Sequence, residues 1–216
     1  MTLEMSTFTS RYTPARLKIY LMKANVDPRQ HACTADEIYS QAMRSTGMVF
    51  TLDAAADSDN HRCSRWFGPG GLHPNFHEPS WRGETVFLNP PFVLGGLAVE
   101  KALHEWVEHR VPSTLLINAK TANKSFEDAV RYGVSVGLFG TRVAYLPGPG
   151  VQFSDPNLDS MLLVFNGMGK VFYAGEGNPR RRIAKPEKKK RPPPVDDGRI
   201  IKRPGAYKPV MPRKAP

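Results

Sequence analysis

From Thr85 onward the chain repeats one pattern: a short apolar run, a turn, then a longer segment whose apolar residues recur at helical spacing. Thr85-Val86-Phe87-Leu88 is the first such run, and Leu97 to Glu108 follows with Val99, Leu103, Trp106 and Val107 on one helical face. Ser113 to Ile117 and Val134 to Phe139 read as further strands, with a helix over Lys124 to Tyr132 between them. Arg142 to Leu146 and Met161 to Phe165 read as two more. Continuous apolar runs indicate strands covered on both faces. Their alternation with helices implies right-handed crossovers and a largely parallel sheet, hence an α/β fold. Gly148-Pro149-Gly150 leads into the last run, which is expected to lie antiparallel at or near the sheet edge.

The front half is less regular. Pro14 to Ala24 suits a helix behind Thr13, with Leu17, Tyr20 and Leu21 at helical spacing. Thr34-Ala35-Asp36-Glu37 matches a capping box, in which the Thr hydroxyl accepts from the N3 amide and the Glu reaches back to the cap. A helix over Ala35 to Ser45 should follow, with Ile38 and Ala42 toward the core. From Met48 an apolar run stops abruptly at Asp53-Ala54-Ala55-Ala56-Asp57, the way a buried parallel strand delivers a polar group to its carboxyl end. Residues 58–80 are polar and turn-rich around Gly68-Pro69-Gly70-Gly71, and a loop of that length in a compact domain is usually functional.

Charge is segregated along the chain. Residues 178–216 hold 14 of the 30 Lys/Arg, 3 of the 20 Asp/Glu and 9 of the 20 prolines, so the remainder is nearly neutral although the whole carries +10. Such a stretch cannot bury enough surface to offset its ordering entropy and is expected to be disordered and extended. Its runs Arg180-Arg181-Arg182 and Lys188-Lys189-Lys190-Arg191 would bind a polyanion by counterion release without sequence preference; a merely solubilising tail is the plainer alternative. No apolar stretch approaches the roughly 18 residues of a membrane span, which makes nucleic acid a better partner than lipid. With 216 residues and 40% hydrophobic content, the expected division is an extension over 1–30, one domain over 31–177, and the basic tail over 178–216. Cys33 and Cys63 make no disulfide framework, and residues 1–30 show no signal-peptide core, so a cytoplasmic location is the default. Pro186 to Arg191 also resembles a nuclear localisation signal, which would matter in a eukaryotic host.

The most informative tetrapeptide is Asn89-Pro90-Pro91-Phe92, directly after a strand and before an amphipathic helix. Two prolines fix the backbone and remove its amide donors where a helix would otherwise begin. A rigid corner results, presenting an amide carbonyl, a main-chain carbonyl and an aromatic ring. The two carbonyls can accept from both hydrogens of an exocyclic amine, and Phe92 can stack on the base that carries it. Alone, the tetrapeptide would be an ordinary turn; its place between strand and helix makes it a candidate site.

With these residues the chain resembles the phage-type, Dam-like DNA N6-adenine methyltransferases, over roughly Cys33 to Gly167. The matching parts are Thr34 and its helix, Phe50 to Ala56 with Asp53, Asn60, Cys63, Trp81, Asn89-Pro90-Pro91-Phe92, Leu115 to Ala119, Thr121, Gly140 with Arg142, and Ser160 to Phe165. The resemblance implies a Rossmann-like S-adenosylmethionine-dependent methyltransferase fold and methyl transfer to adenine N6 in DNA. It implies that Asp53 and the backbone of Ala54 and Ala55 lie beside the cofactor, with Thr34 near its methionine end, and that Asn89, Pro90, Pro91 and Phe92 grip the acceptor. Only 36 positions separate Asp53 from Asn89, too few for the strand-helix units that usually intervene, so the fold should be compact or truncated in its N-terminal half. The cofactor turn also departs from the wider pattern, reading Asp-Ala-Ala-Ala where many relatives are glycine-rich. Asp57, Asn60 and Trp66 are candidates for the ribose or adenine of the cofactor. Such a corner also suits enzymes acting on RNA adenine, cytosine N4 or a protein amide, and a decayed fold that binds nucleic acid without cofactor is a third reading. His61, Cys63, His73 and His77 are zinc-compatible types, but their spacing fits no standard finger and no metal is expected.

Overall fold

The computed structural model describes residues 13–26, 30, 32–140, 142–146 and 159–174. The chain divides into two units, Met1–Arg180 and Arg181–Pro216. The second unit lies outside the described residues, and with it the basic runs at Arg180-Arg181-Arg182 and Lys188-Lys189-Lys190-Arg191 and the turn at 148–150.

In chain order the described elements of the first unit are α1 (Pro14–Val26), β1 (Cys33–Thr34), α2 (Asp36–Thr46), β2 (Leu52–Asp53), β3 (Arg65–Trp66), β4 (Val86–Leu88), α3 (Gly95–His109), β5 (Ser113–Asn118), α4 (Lys124–Arg131), β6 (Ser135–Leu138), β7 (Tyr145–Leu146), β8 (Ser160–Phe165) and β9 (Val171–Tyr173). Seven of the strands form one sheet in the order β3-β2-β4-β5-β8-β6-β9, and β1 pairs with β7 apart from it. Four of the six pairings in the large sheet are parallel; β8 runs antiparallel to both β5 and β6.

The continuous apolar runs are explained by a sheet with both faces covered. Successive side chains on a strand point to opposite faces, and here each face has its own core. Val86, Leu88, Leu115, Ile117, Met161, Leu163 and Phe165 join Leu97, Val99 and Leu103 of α3 and Ala129 of α4. The alternate residues Phe87, Leu116, Leu162 and Val164 join Ile38 and Ala42 of α2 with Tyr145 of β7. The fold is therefore a Rossmann-like three-layer α/β sandwich. In the segment read as an N-terminal extension, α1 lays Leu17, Tyr20, Leu21 and Ala24 against the first of these cores. Among the described residues no helix is long and apolar enough to cross a membrane.

Three expectations need correction. The run 161–165 is antiparallel as expected, but β8 sits inside the sheet, because all six of its residues are buried and only a strand with two neighbours can be so covered. The edge is β9, whose Val171 and Tyr173 are exposed. Within 142–146 only Tyr145 and Leu146 are in a strand, and they pair with β1 rather than the main sheet. That pairing also removes the capping box: Thr34 is held opposite Tyr145, the N-cap of α2 is Ala35, and no side chain caps it.

Candidate active site

The site follows from the strand order. The chain leaves β2 for β3 on one side and returns to β4 on the other, so the order reverses between β2 and β4. In open α/β sheets the crevice at such a reversal, outside the carboxyl ends of the strands, is where ligands bind. Asp53 ends β2 and Asn89 follows β4, with Asp53 in register with Phe87 two positions before it.

Asp53 is 3% exposed and its carboxylate is held from two sides. Oδ1 accepts from the Ala55 amide at 3.4 Å and Oδ2 from the Arg62 amide at 3.0 Å. Burial lifts its pKa to about 6, against the opposing pull of those amides and of the Arg62 and His61 charges. Beyond it the chain continues as ladder, with Ala54 N donating to Phe87 O at 2.9 Å and Ala56 N to Phe67 O at 3.0 Å. The Asp-Ala-Ala-Ala turn thus offers no nest of free amides for a phosphate. It presents methyl groups and one carboxylate.

At the corner, Asn89 Nδ2 donates to the Ala32 carbonyl at 3.2 Å. A carbonyl can only accept, so this contact fixes the amide orientation and leaves Oδ1 as an acceptor. The Pro91 carbonyl accepts from Leu94 N at 2.7 Å, whereas among the described residues no hydrogen bond ends on the Pro90 carbonyl. Two uncommitted acceptors, the Asn89 Oδ1 and the Pro90 oxygen, therefore stand on adjacent residues. Phe92 is half-buried and meets Tyr145 edge-on at 5.6 Å, and the Tyr145 hydroxyl bonds Ser160 Oγ at 2.8 Å.

The corner divides the surface into two hollows. On one side is a cavity of about 250 Å3, lined in part by Ala54, Ala55, Asn89, Pro91, Phe67 and Phe76. It opens beside a smaller polar pocket of about 20 Å3 bounded by Thr34, Asp53, Arg62 and Asn89, with Ala32, Ala55 and Asn60 common to both walls. On the other side Pro90 and Phe92 line a shallow cleft of about 40 Å3 with Gly95, Ile117, Asn118 and Lys120. Asn118 is 9% exposed, and its Oδ1 is buried with no hydrogen-bond partner among the described residues.

Of the residues singled out in the sequence, Thr34, Asp53, Ala54, Ala55, Asn89 and Pro91 thus line the cavity or its side pocket, and Pro90 and Phe92 face the cleft. Asp57 and Asn60 line the cavity too, but they bond one another, Asp57 N to Asn60 Oδ1 at 3.0 Å and Asn60 Nδ2 to Asp57 Oδ2 at 3.0 Å. Trp66 is not in the lining; its ring stacks on His61 at 4.1 Å. His73 and His77 flank Glu78, each at 3.8 Å, and the described residues hold no group of three or more His, Cys, Asp and Glu that could bind a metal. Sequence reasoning missed the far wall of the cavity. Phe67, Gly68, Pro69, Pro74, Phe76 and His77 come from the loop read as polar, and Leu21 and Ala24 from α1. The signal for the former was the aromatic spacing of Phe67 and Phe76 within that loop and Trp81 directly after it.

A cavity of mixed carboxylate and apolar lining thus lies at the switch point, with the Asn-Pro-Pro-Phe corner between it and the cleft at Phe92. A family model, DNA N-6-adenine-methyltransferase (Dam), matches residues 23–191. The chain belongs to that family. No curated protein and no solved structure matches it significantly.

Proposed function

We propose that the chain methylates the N6 amine of adenine in DNA, with S-adenosylmethionine as donor. The observation that carries this reading is the pair of free acceptors at Asn89 Oδ1 and the Pro90 carbonyl, set between the cavity and the cleft. The residues around the cavity fit the donor. Phe67, Phe76 and Pro74 offer an apolar wall for a purine, Asp53 offers a buried acceptor for amine or hydroxyl hydrogens, and the phosphate-free cofactor needs no amide nest. When bound, S-adenosylmethionine supplies an electrophilic methyl group.

The chain's part is positioning. A target adenine extruded from the duplex would lie against Phe92 and donate its two amine hydrogens to Asn89 and Pro90, leaving the nitrogen lone pair for the methyl group. The hydrogen bond to Ala32 holds Asn89 in the accepting orientation before the base arrives, so little reorganisation remains at the moment of transfer. The polyanionic substrate would be drawn by the basic runs Arg180-Arg181-Arg182 and Lys188-Lys189-Lys190-Arg191, which set no sequence preference.

The test is transfer of labelled methyl to unmethylated DNA with nucleoside analysis of the product. N6-methyladenine is expected, reduced at least about 100-fold in Asn89→Ala, a loss larger than any accompanying fall in cofactor affinity. Label in RNA or protein instead would move the acceptor. No label anywhere, and no cofactor binding by calorimetry, would leave a nucleic-acid-binding fold without catalysis.

A further inference from the structure

The Asn-Pro-Pro-Phe corner does not fix itself. Asn89 and Pro90 each precede a proline, which keeps both extended, but Pro91 precedes Phe92, and its ψ is free to take the extended or the helical range. It stands at φ −46° and ψ 136°, extended, just before a 3-10 turn over Phe92–Leu94. Proline suits the first position of a helix, so this turn could begin one residue earlier. Its rung from Leu94 N to the Pro91 carbonyl measures 2.7 Å. The preceding rung of the same ladder would run from Val93 N to the Pro90 carbonyl, and would occupy the acceptor on which the proposed reaction depends. Among the described residues that rung is not formed.

Val93 N is taken elsewhere: it donates to Gln30 Oε1 at 2.9 Å, across 63 positions of sequence. Amides in the first turn of a helix have no intrahelical acceptor, and the cap residue here, Pro91, supplies no side-chain acceptor. Two positions after Gln30, the Ala32 carbonyl accepts from Asn89 Nδ2 at 3.2 Å. Gln30 and Ala32 thus hold the two ends of the corner. We propose that Gln30 is a positioning residue that keeps the Pro90 carbonyl free for the substrate amine. By taking the Val93 amide it holds Pro91 extended and stops the helix at Phe92. The role rests on the methyl-transfer reading of the corner and adds to it a residue from outside the corner.

Two variants of the full chain separate the acceptor oxygen from the rest of the side chain. Gln30→Glu keeps an oxygen for Val93 N, at a helix start where negative charge is favoured, while Gln30→Met keeps the length and removes the acceptor. With S-adenosylmethionine and DNA both saturating, kcat for methyl transfer is expected to stay near wild type in Gln30→Glu. In Gln30→Met it should fall about 10-fold or more, because one of the two acceptors for the amine is lost. A crystal structure of Gln30→Met should show Pro91 turned to the helical range and Val93 N on the Pro90 carbonyl, a readout that needs no turnover. A Gln30→Met enzyme with wild-type kcat, a Gln30→Glu enzyme that falls as far as Gln30→Met, or a Gln30→Met structure with the Pro90 carbonyl still free would each overturn the positioning role and leave the methyl-transfer reading standing. A wild type that transfers no methyl would overturn that reading, and the Gln30→Met structure would still decide whether Gln30 guards the carbonyl.

Discussion

A single carboxylate sets the pH behaviour expected of the proposed cofactor site. Asp53, lifted by burial to about 6, is ionised at neutral pH and protonated just below that value. Only the ionised form offers acceptors on both oxygens, so a ligand that donates to it requires the proton to be off. S-adenosylhomocysteine affinity should be level above about pH 7 and fall about tenfold per unit below 6, and Asp53→Asn should remove that dependence. Stability of the ligand-free protein runs the other way. The folded pKa lies above the ordinary 3.8, so the folded state binds this proton more tightly. Its stabilising contribution is full below about 4 and lost as pH rises through 6. Urea midpoints between pH 4.5 and 7 in the wild type and in Asp53→Asn would check the sign. A difference between them that is independent of pH would refute it.

The loop joining β3 to β4 behaves as a built element. It buries Phe67, Phe76 and Trp81, each worth roughly 1.5–3 kcal/mol of transfer free energy, and Trp81 Nε1 donates to the Phe76 carbonyl at 2.9 Å. Gly68 is where this element meets the segment that follows β2: its φ is +136°, and a Cβ there would lie 1.8 Å from the Ala56 carbonyl oxygen. Gly68→Ala should therefore cost at least about 2 kcal/mol and weaken cofactor binding, since both residues line the cavity. A urea midpoint equal to wild type would mean that the crossing relaxes without cost. The loop was the least legible part of the sequence because its few apolar residues follow neither strand nor helix period. β5 and β8 were legible because six consecutive buried residues need no periodicity to be seen, and Asp53 and the Asn89 corner because each ends an apolar run with a polar group. β2 and β3 are two residues long, too short to carry a pattern. Thr34 was misread because local capping lost to pairing with Tyr145, 111 positions away in sequence. Arg62 carried no signal at all, since its contacts are to Asp36 and Thr34, 26 and 28 positions upstream.

Over the whole sequence, charge is divided between residues 1–177, which are nearly neutral, and the basic residues 178–216. The family match, residues 23–191, spans both basic runs and ends at Arg191. Neutralising phosphates with Lys and Arg releases counterions, which lowers the logarithm of affinity by about 0.9 per contact for each decade of salt on duplex DNA. The two runs contain seven such side chains. A chain ending at residue 177 loses both runs and should therefore bind DNA more weakly, with the salt slope reduced by about 6 if these seven side chains make the contacts. The loss should be the same on duplexes with and without the methylated sequence, because phosphate contacts position but do not specify. Turnover at saturating DNA should stay near wild type, since Asn89, Pro90 and Asp53 all lie before residue 178. A chain ending at Arg191 should keep most of the slope, which separates these two runs from the lysines and arginines beyond them. Titrations of all three chains at several salt concentrations would decide the matter: a slope that survives truncation at 177 would assign DNA attraction to residues 1–177 instead.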